Sequence, residues 1–551
     1  MELIEFNLLE EPWIRVMTED CTVQERSLTQ VLLESHKYRR LAGELPTQDV
    51  AVLRLLLAVL HTVFYRVDSE GEDDPIEEED QAIERWRELW EAGHLPEPPI
   101  RDYLEAWKDR FWLFHPEHPF YQVPGAGKGT GYTAAKLNGE LSESSNKLRL
   151  FPIRAGREKE RLTYAEAARW LVTIMGFDDV STKVETGTGP GWLGQHIDLY
   201  ATGDDLFETL MLNLVFTSGE DTIGEDTIWE ESVPAWEKPP LKEAKKRQVE
   251  MPKDQAGLLT LQSRRILLYR ESDRVVAYRV TGGDFFGKDG DVDAFNEQMT
   301  RWRKEERSRT KKFFRPAKAN PERQMWRDFE TIIDEKKEGH RPGIVRWVQE
   351  LKKAKAMGKK IVHISSVGAV YDAKGSSIVE VVADHLDFHA ELLDEVGGLW
   401  NERIRQTIER VDKAAWLLGK LAEELFRAGG GLPDSPTQTA RVHQAKQEYY
   451  GAVDLPFRGW LRSINPKQGN EEELRAEKDM EWRRTAYRLA MEQGRRMVRS
   501  AGAAAFTGRW VKDRKTDREI CLSSSSAFDR FSWSIRKCFG IETKKEGEAD
   551  G

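Results

Sequence analysis

Apolar and polar positions alternate at the start of the chain around the turn-like Glu10-Glu11-Pro12, which predicts a strand or hairpin edge. A nearly continuous apolar stretch then runs to Arg66, with Thr47 as its expected cap. Its core, Val50 to Tyr65, is interrupted by Arg54 and His61 and is too short to span a bilayer, so it reads as a buried helix. Gln81 to Ala92 has helical period, with Trp86 and Trp90 four residues apart on one face, a spacing suited to core packing. Phe111 to Gln122 is too rich in proline and aromatics for a regular helix. The Gly/Ser-rich stretch from Pro124 to Ser145 predicts a mobile loop. Helical period returns at Thr163–Met175 and Leu206–Phe216, while Leu258–Arg270, Arg274–Val280 and Ile361–Val370 read as strands.

Past Ser377 the rhythm changes. Ile378 to Arg427 carries apolar residues every three or four positions with charges between them, and Gly429-Gly430-Gly431 and Pro433 end the run. Further helical blocks occupy Thr437–Tyr450, Glu471–Arg499 and Ser525–Phe539. Long amphipathic helices separated by short polar breaks predict an up-and-down bundle. The expected class is α+β: a large mixed α/β N-terminal domain over 1–385, followed by a four-helix bundle over 386–545. The chain's 551 residues exceed what one core organises, which agrees with more than one domain.

Charge changes the picture only when it is read locally. The net charge of -11 argues against a polyanionic partner, but the charges are segregated. Acid gathers in Ser69–Asp80, as expected of a solvated loop. Base gathers in Met299–Lys318, where nine Lys or Arg stand against two Glu. A solvated helix face and a phosphate-binding surface both fit that window. The three cysteines, Cys21, Cys521 and Cys538, are far apart, which excludes a disulfide framework and a CxxC zinc site and fits a reducing cytoplasm. The opening MELIEFNLLEEPW has no basic region before an apolar core, so no secretion signal and no membrane association are expected.

Catalytic chemistry finds no candidate. His115 and His118 are three apart with a proline after each, whereas the helical zinc motif needs an i, i+4 pair; a structural turn is expected. Asp284, Asp289, Asp291 and Asp293 lack the EF-hand spacing and its closing glutamate, and read as a loop. The run GTGPGWLG has no following Lys-Ser/Thr and is no phosphate loop. There is no GxSxG elbow. The expectation is a protein that is not an enzyme and needs no metal or cofactor.

Five segments, in this order, carry a family resemblance: FNLLEEPWIRV (Phe6–Val16), FWLFHPEHPFYQ (Phe111–Gln122), LFETLMLNLV (Leu206–Val215), GLLTLQSRRILL (Gly257–Leu268) and AVYDAKGSSIVE (Ala369–Glu380). Together they resemble the CasA family, the large subunit of the type I-E CRISPR complex Cascade. The resemblance implies a mixed N-terminal domain and a C-terminal four-helix bundle. It also implies three activities: reading a short motif beside the target (the PAM) from the minor groove, opening the duplex, and docking a helicase-nuclease. Guide RNA pairing, not protein, reads the long sequence.

The resemblance further implies particular elements here. A glycine loop would approach the minor groove with bare backbone; its register falls either on Phe177–Lys183 or on Thr186–Gly194, which makes Gly187, Gly189, Gly191 and Gly194 the candidates for close approach and Lys183 the candidate for phosphate contact. The family's lysine finger falls among Arg303, Lys304, Lys311 and Lys312, with Trp302, Phe313 and Phe314 as neighbours for anchoring or stacking. Its wedge hairpin, where a glutamine is usual, aligns on Lys374 and Gly375, so Lys374, Ser376 or the turn itself would do the separating. Within Ser142–Arg157, Asn146, Lys147, Arg149, Phe151 and Arg154 are the expected contacts to guide RNA and neighbouring subunits, although such a stretch also suits a plain surface loop. The implied partners are therefore guide RNA, other Cascade subunits, target double-stranded DNA and the helicase-nuclease. A scaffold that bridges proteins without reading DNA is the alternative.

Overall fold

The computed structural model describes residues 4–139, 156–180, 189–218, 228–287, 296–305, 313–333, 341–358, 360–394, 397–468, 471–512 and 519–541. The chain forms two compact units, one comprising Met1–Pro321 and Thr331–His385, the other Glu322–Glu330 and Leu386–Gly551. The short Glu322–Glu330 segment belongs with the bundle, although it lies within the 1–385 range expected for the N-terminal domain.

The first unit is built around the helix Pro46–Phe64, in which every position from Val50 to Phe64 is buried. A helix apolar on all sides must be covered on all sides, and the helices Tyr164–Phe177 and Gln255–Leu259 pack against it. By length and composition alone this helix suffices to cross a membrane, contrary to the sequence estimate of its span, but its apolar window is 94% buried inside the protein. Thr47 is not its cap. Leu45 takes that position with Pro46 in the first turn, and the side chains of Gln48 and Asp49 accept from the backbone N–H groups of Glu44 and Gly43.

Three small antiparallel sheets surround this core. One joins Ile14–Thr18 to Val23–Arg26 and Tyr38–Leu41. A second places Arg274–Gly282 between Thr130–Thr133 and Arg264–Glu271. In the third, Ile361–Tyr371 lies between Asp198–Thr202 and Ile378–His389. Two expectations change here. The described part of the Gly/Ser-rich stretch after Pro124 is built into the unit, because Thr130–Thr133 forms the edge of the second sheet and Ala134–Leu137 a buried helical turn. The strand expected from Leu258 begins only at Arg264; Gln255–Leu259 is helical, capped by the Asp254 carboxylate.

The second unit is a bundle of Gly398–Ala428, Pro436–Arg462, Glu472–Ser500 and Ser524–Phe539, and the first of these packs on the other three. Its buried stripe, Ile404, Val411, Ala415, Leu418, Leu421 and Leu425, follows the three- and four-residue spacing seen in the sequence. That spacing misled upstream: Ile378–His389 is a strand, and the helix starts at Gly398. Trp326, from the inserted segment, completes the bundle core. Its ring stacks on Phe457 at 4.4 Å and its indole N–H donates to the Asp454 carboxylate at 2.8 Å.

Among the buried polar side chains of the central helix, Arg54 and His61 must find partners deep in the core because water cannot reach them. Arg54 meets Glu297, as described below. His61 lies between the Ser232 hydroxyl at 2.8 Å and the Val215 carbonyl at 3.1 Å, and burial lowers its pKa to about 4. An unfolded histidine titrates near 6.5, so protons bind the unfolded chain preferentially between those values. His61 therefore favours the native state above pH 6.5, and that contribution is lost as the pH falls toward 4. Relative to His61→Gln, the parent protein should lose about 2 kcal/mol of unfolding free energy between pH 7.5 and pH 5 in denaturant titrations.

Candidate nucleic-acid interface

Arg264 is the organising residue of this region. Its side chain is 2% exposed, and its guanidinium donates to the Asp178 carboxylate at 2.7 Å. It also reaches the backbone carbonyls of Asp178, Asp179 and Gly189 at 3.2, 2.9 and 3.0 Å. Asp178 and Asp179 belong to the first expected register of the glycine loop, Phe177–Lys183, and Gly189 to the second, Thr186–Gly194, so one planar cation grips both. The Lys136 ammonium adds a second buried grip on Asp179 at 2.5 Å.

The rest of the loop's return is locked by packing. Gly191 N–H donates to the Asp178 carbonyl at 2.9 Å, and a Cβ on Gly191 would lie 2.2 Å from the Gly176 oxygen. A Cβ on Gly194 would lie 2.2 Å from the Tyr371 hydroxyl. Both glycines are buried. Their missing side chains admit the neighbouring backbone and ring of this protein, so the expectation that Gly191 and Gly194 face DNA is corrected. Gly189 differs: it is half-buried, has φ of +74° and has open space where a side chain would stand. Lys183 and Gly187 lie outside the described residues.

The expected wedge lies against the loop's first end. Val180 N–H donates to the Gly375 carbonyl at 2.9 Å, and the Tyr371 hydroxyl donates to the Phe177 carbonyl at 2.6 Å. Within the turn, Gly375 takes φ of +69°, which favours glycine, and Asp372 accepts from both the Ser376 N–H at 2.6 Å and the Ser376 hydroxyl at 2.8 Å. Ser376 is thus tied into the turn, whereas Lys374 is exposed.

The basic window joins the same place through strand Asp198–Thr202. Leu199 N–H donates to the Met299 carbonyl, the Thr300 hydroxyl to the Ile197 carbonyl, and Ile197 N–H to the Ala317 carbonyl, all within 2.7–2.8 Å. From this root rises a hairpin of Trp302–Glu305 and Phe313–Pro316. Trp302 anchors it, 1% exposed, while Arg303 is exposed and sits directly across the ladder from Arg315. Like charges at such a cross-strand position repel and are stabilised by an anion between or above them. Lys304 belongs to the first strand; Lys311 and Lys312 lie outside the described residues, as do Asn146, Lys147, Arg149, Phe151 and Arg154.

Under the root lies a buried ion cluster. Arg54 holds Glu297 by two bonds of 2.9 and 3.1 Å, and Glu297 also accepts from the indole N–H of Trp192 at 2.9 Å and the backbone of Met299 at 3.0 Å. Burial pushes the Glu297 pKa up, but Arg54, His196 and these hydrogen bonds outweigh it and hold the group at about 2. Asp198, fully buried, is driven in the opposite direction by desolvation, well above the ordinary carboxylate value. Burial likewise lowers His196 to about 4, so it is neutral at physiological pH. The cluster thus ties the glycine-loop return, through Trp192, to the base of the cationic hairpin, through Met299.

The three elements singled out in the sequence (loop, basic window and turn) therefore meet at the Asp198 end of one sheet. The residues that bring them together, Arg264, Asp178, Glu297 and Trp192, were not anticipated as site residues. Arg264 had a signal, two adjacent arginines inside an otherwise apolar strand, QSRRILL. Away from this site, Asp109 joins His115 and His118 to form a cluster whose ligand atoms lie within 4.8 Å. His115 Nδ1 accepts from the N–H groups of Glu117 and His118, so the neutral ring carries its proton on Nε2, toward Asp109. That arrangement builds the ring into a turn and offers a metal no lone pair. Asp284 pairs with Arg247 and Arg265; Asp289, Asp291 and Asp293 lie outside the described residues.

A model of the family described as CRISPR-associated protein Cse1 matches residues 7–493. The chain belongs to this family, also called CasA, that of the large subunit of Cascade. The CRISPR-associated protein CasA/Cse1 of Thermus thermophilus is 34% identical over 243 residues, a stretch that spans 44% of this chain and 43% of that relative, less than half of either. The crystal structure of Thermobifida fusca Cse1 superposes with a TM-score of 0.79 at 28% identity, covering 98% of both chains. Cse1 from Acidimicrobium ferrooxidans gives 0.74 at 25% identity, covering 98% of this chain and 100% of that one. A chain of a CRISPR RNA-guided surveillance complex shares the fold, with a TM-score of 0.69 at 17% identity over 96% of this chain and 99% of that one.

Breaking a buried ion pair strands its partner, at a cost of about 3–5 kcal/mol. Arg264→Met should lower the unfolding free energy by that amount in urea titrations, and adding Asp178→Asn should recover part of it. Equal losses with and without the second change would place the energy elsewhere.

Proposed function

We propose that this protein is the PAM-reading, duplex-opening subunit of a type I-E, RNA-guided surveillance complex in the cytoplasm, acting by binding and not by catalysis. The observation that carries the reading is the convergence of the loop ending at Gly189, the Arg303 hairpin and the Lys374 turn at one end of the Asp198–Thr202 sheet. In this reading Gly189 and the loop before it approach the minor groove. Arg303, Lys304, Lys311 and Lys312 neutralise phosphates, and the Lys374 turn presses between base pairs. Unstacking a base step costs a few kcal/mol, which phosphate contacts and guide pairing offset. Asn146, Lys147, Arg149, Phe151 and Arg154 would meet guide RNA or a neighbouring subunit, and the opened complex would recruit a helicase-nuclease.

Gel shifts of the guide-loaded complex, with and without this chain, on PAM-matched and PAM-scrambled duplexes test the reading. Preference for the matched duplex only when the chain is present is expected; equal binding to both would make it a scaffold. A finer test targets the basic window. Lys311→Ala with Lys312→Ala should weaken duplex binding broadly and reduce the slope of log affinity against log salt by roughly two, for two lost phosphate contacts. An unchanged slope would remove that window from the interface.

A further inference from the structure

The bundle carries a second candidate surface that none of the above uses. Between helices Gly398–Ala428 and Ser524–Phe539 runs a groove of about 750 Å³. Two tryptophans stand in it, Trp416 at 47% and Trp533 at 66% exposure. Large indoles in a helical bundle are ordinarily core residues, as Trp460 and Trp482 are here. Each exposed ring is attended by ammonium groups from its own helix: Lys413 and Lys420 lie 4.2 and 5.7 Å from the Trp416 ring, and Lys537 lies 5.3 Å from Trp533. None of these three exposed lysines takes part in an ion pair among the described residues. Arg530 is engaged with Glu424 at 2.9 Å, so of the two acids lining the groove only Asp529 faces it without that pairing.

We propose that this groove binds single-stranded DNA, with bases stacked on Trp416 and Trp533 and phosphates held by Lys413, Lys420 and Lys537. A flexible strand alternates flat apolar faces with single negative charges. The groove offers the complementary alternation of indole and ammonium, one helical turn apart on each wall. A duplex hides its base faces and could use only the lysines; an acidic peptide would satisfy the charge and leave the ring faces uncovered. An exposed cation–π contact is weaker than a base stacked on the same ring, so an arriving base displaces the ammonium toward the adjoining phosphate. The choice of DNA as occupant rests on the duplex opening proposed above, which frees one strand.

The test uses the full chain and fluorescent oligomers of about twelve nucleotides, within the span of one such site. Oligo-dT should bind roughly five- to a hundredfold more tightly than an abasic oligomer of equal length and charge. Trp416→Ala with Trp533→Ala should abolish that preference, and Trp416→Phe with Trp533→Phe should retain most of it. Absence of the preference in the parent protein, or its persistence in the alanine pair, would overturn the proposal. So would displacement of oligo-dT by polyglutamate at equal charge, which would indicate an acidic protein partner, or tighter binding of oligo-rU than of oligo-dT. The parent's dT-over-abasic comparison and the phenylalanine pair keep the test decisive even where the alanine pair folds poorly. The preference of the guide-loaded complex for PAM-matched over PAM-scrambled duplex should be the same for all variants, which separates this groove from the interface of the first unit.

Discussion

One guanidinium, that of Arg264, sets the geometry on which the rest depends. It sits where water cannot reach, and a buried cation is tolerable only when it is neutralised and its donors are filled. The Asp178 carboxylate supplies the charge, and the carbonyls of Asp178, Asp179 and Gly189 fill the donors. Those carbonyls cannot leave without orphaning the guanidinium. The two ends of the loop are thus held together by the cost of burying charge, not by the loop's own propensities. Because Gly375 receives Val180 on one side and the Asp198 strand receives the hairpin root on the other, the same constraint passes outward to the turn and the basic window.

Much of the architecture was legible in the sequence because it rests on periodicity. The buried helix around Leu56, the helix read over Thr163–Met175, and the bundle stripe from Ile404 to Leu425 all follow from side-chain spacing. The reading failed where two periods overlap. In Ile378–His389 the apolar residues Val381, Val382 and Leu386 fit a helix as well as a half-buried strand, and only pairing with Ile361–Tyr371 decides between them. Glycines misled for a related reason. Composition says that a side chain is missing but not which neighbour occupies the space, and at Gly191 and Gly194 the neighbours are Gly176 and Tyr371. The partners of Arg54 and Arg264 were illegible because they are 243 and 86 residues away in the chain, beyond any local pattern.

The balance of charge illustrates the same division between local and long-range information. A chain of net charge -11 keeps many of its cations where they bind nothing external: Arg54, Arg264 and Arg265 are among its largest fully buried side chains. What remains outside is unevenly distributed, with Arg303 and Lys374 near the Asp198 sheet end and Lys413, Lys420 and Lys537 around exposed indoles. A sum over the sequence counts these two populations alike, although only the second can attract a polyanion.

The excursion of Glu322–Glu330 into the bundle has a consequence for exchanging parts between relatives. The polypeptide passes between the two units three times, so a cut at Leu386 does not yield a complete module. A bundle transplanted from that point would lack Trp326, leaving the ring of Phe457 without its stacking partner and the Asp454 carboxylate short of a donor. Grafts that carry the nine-residue strip along with the helices preserve this join, and recombination between family members is accordingly constrained at two places in the gene instead of one.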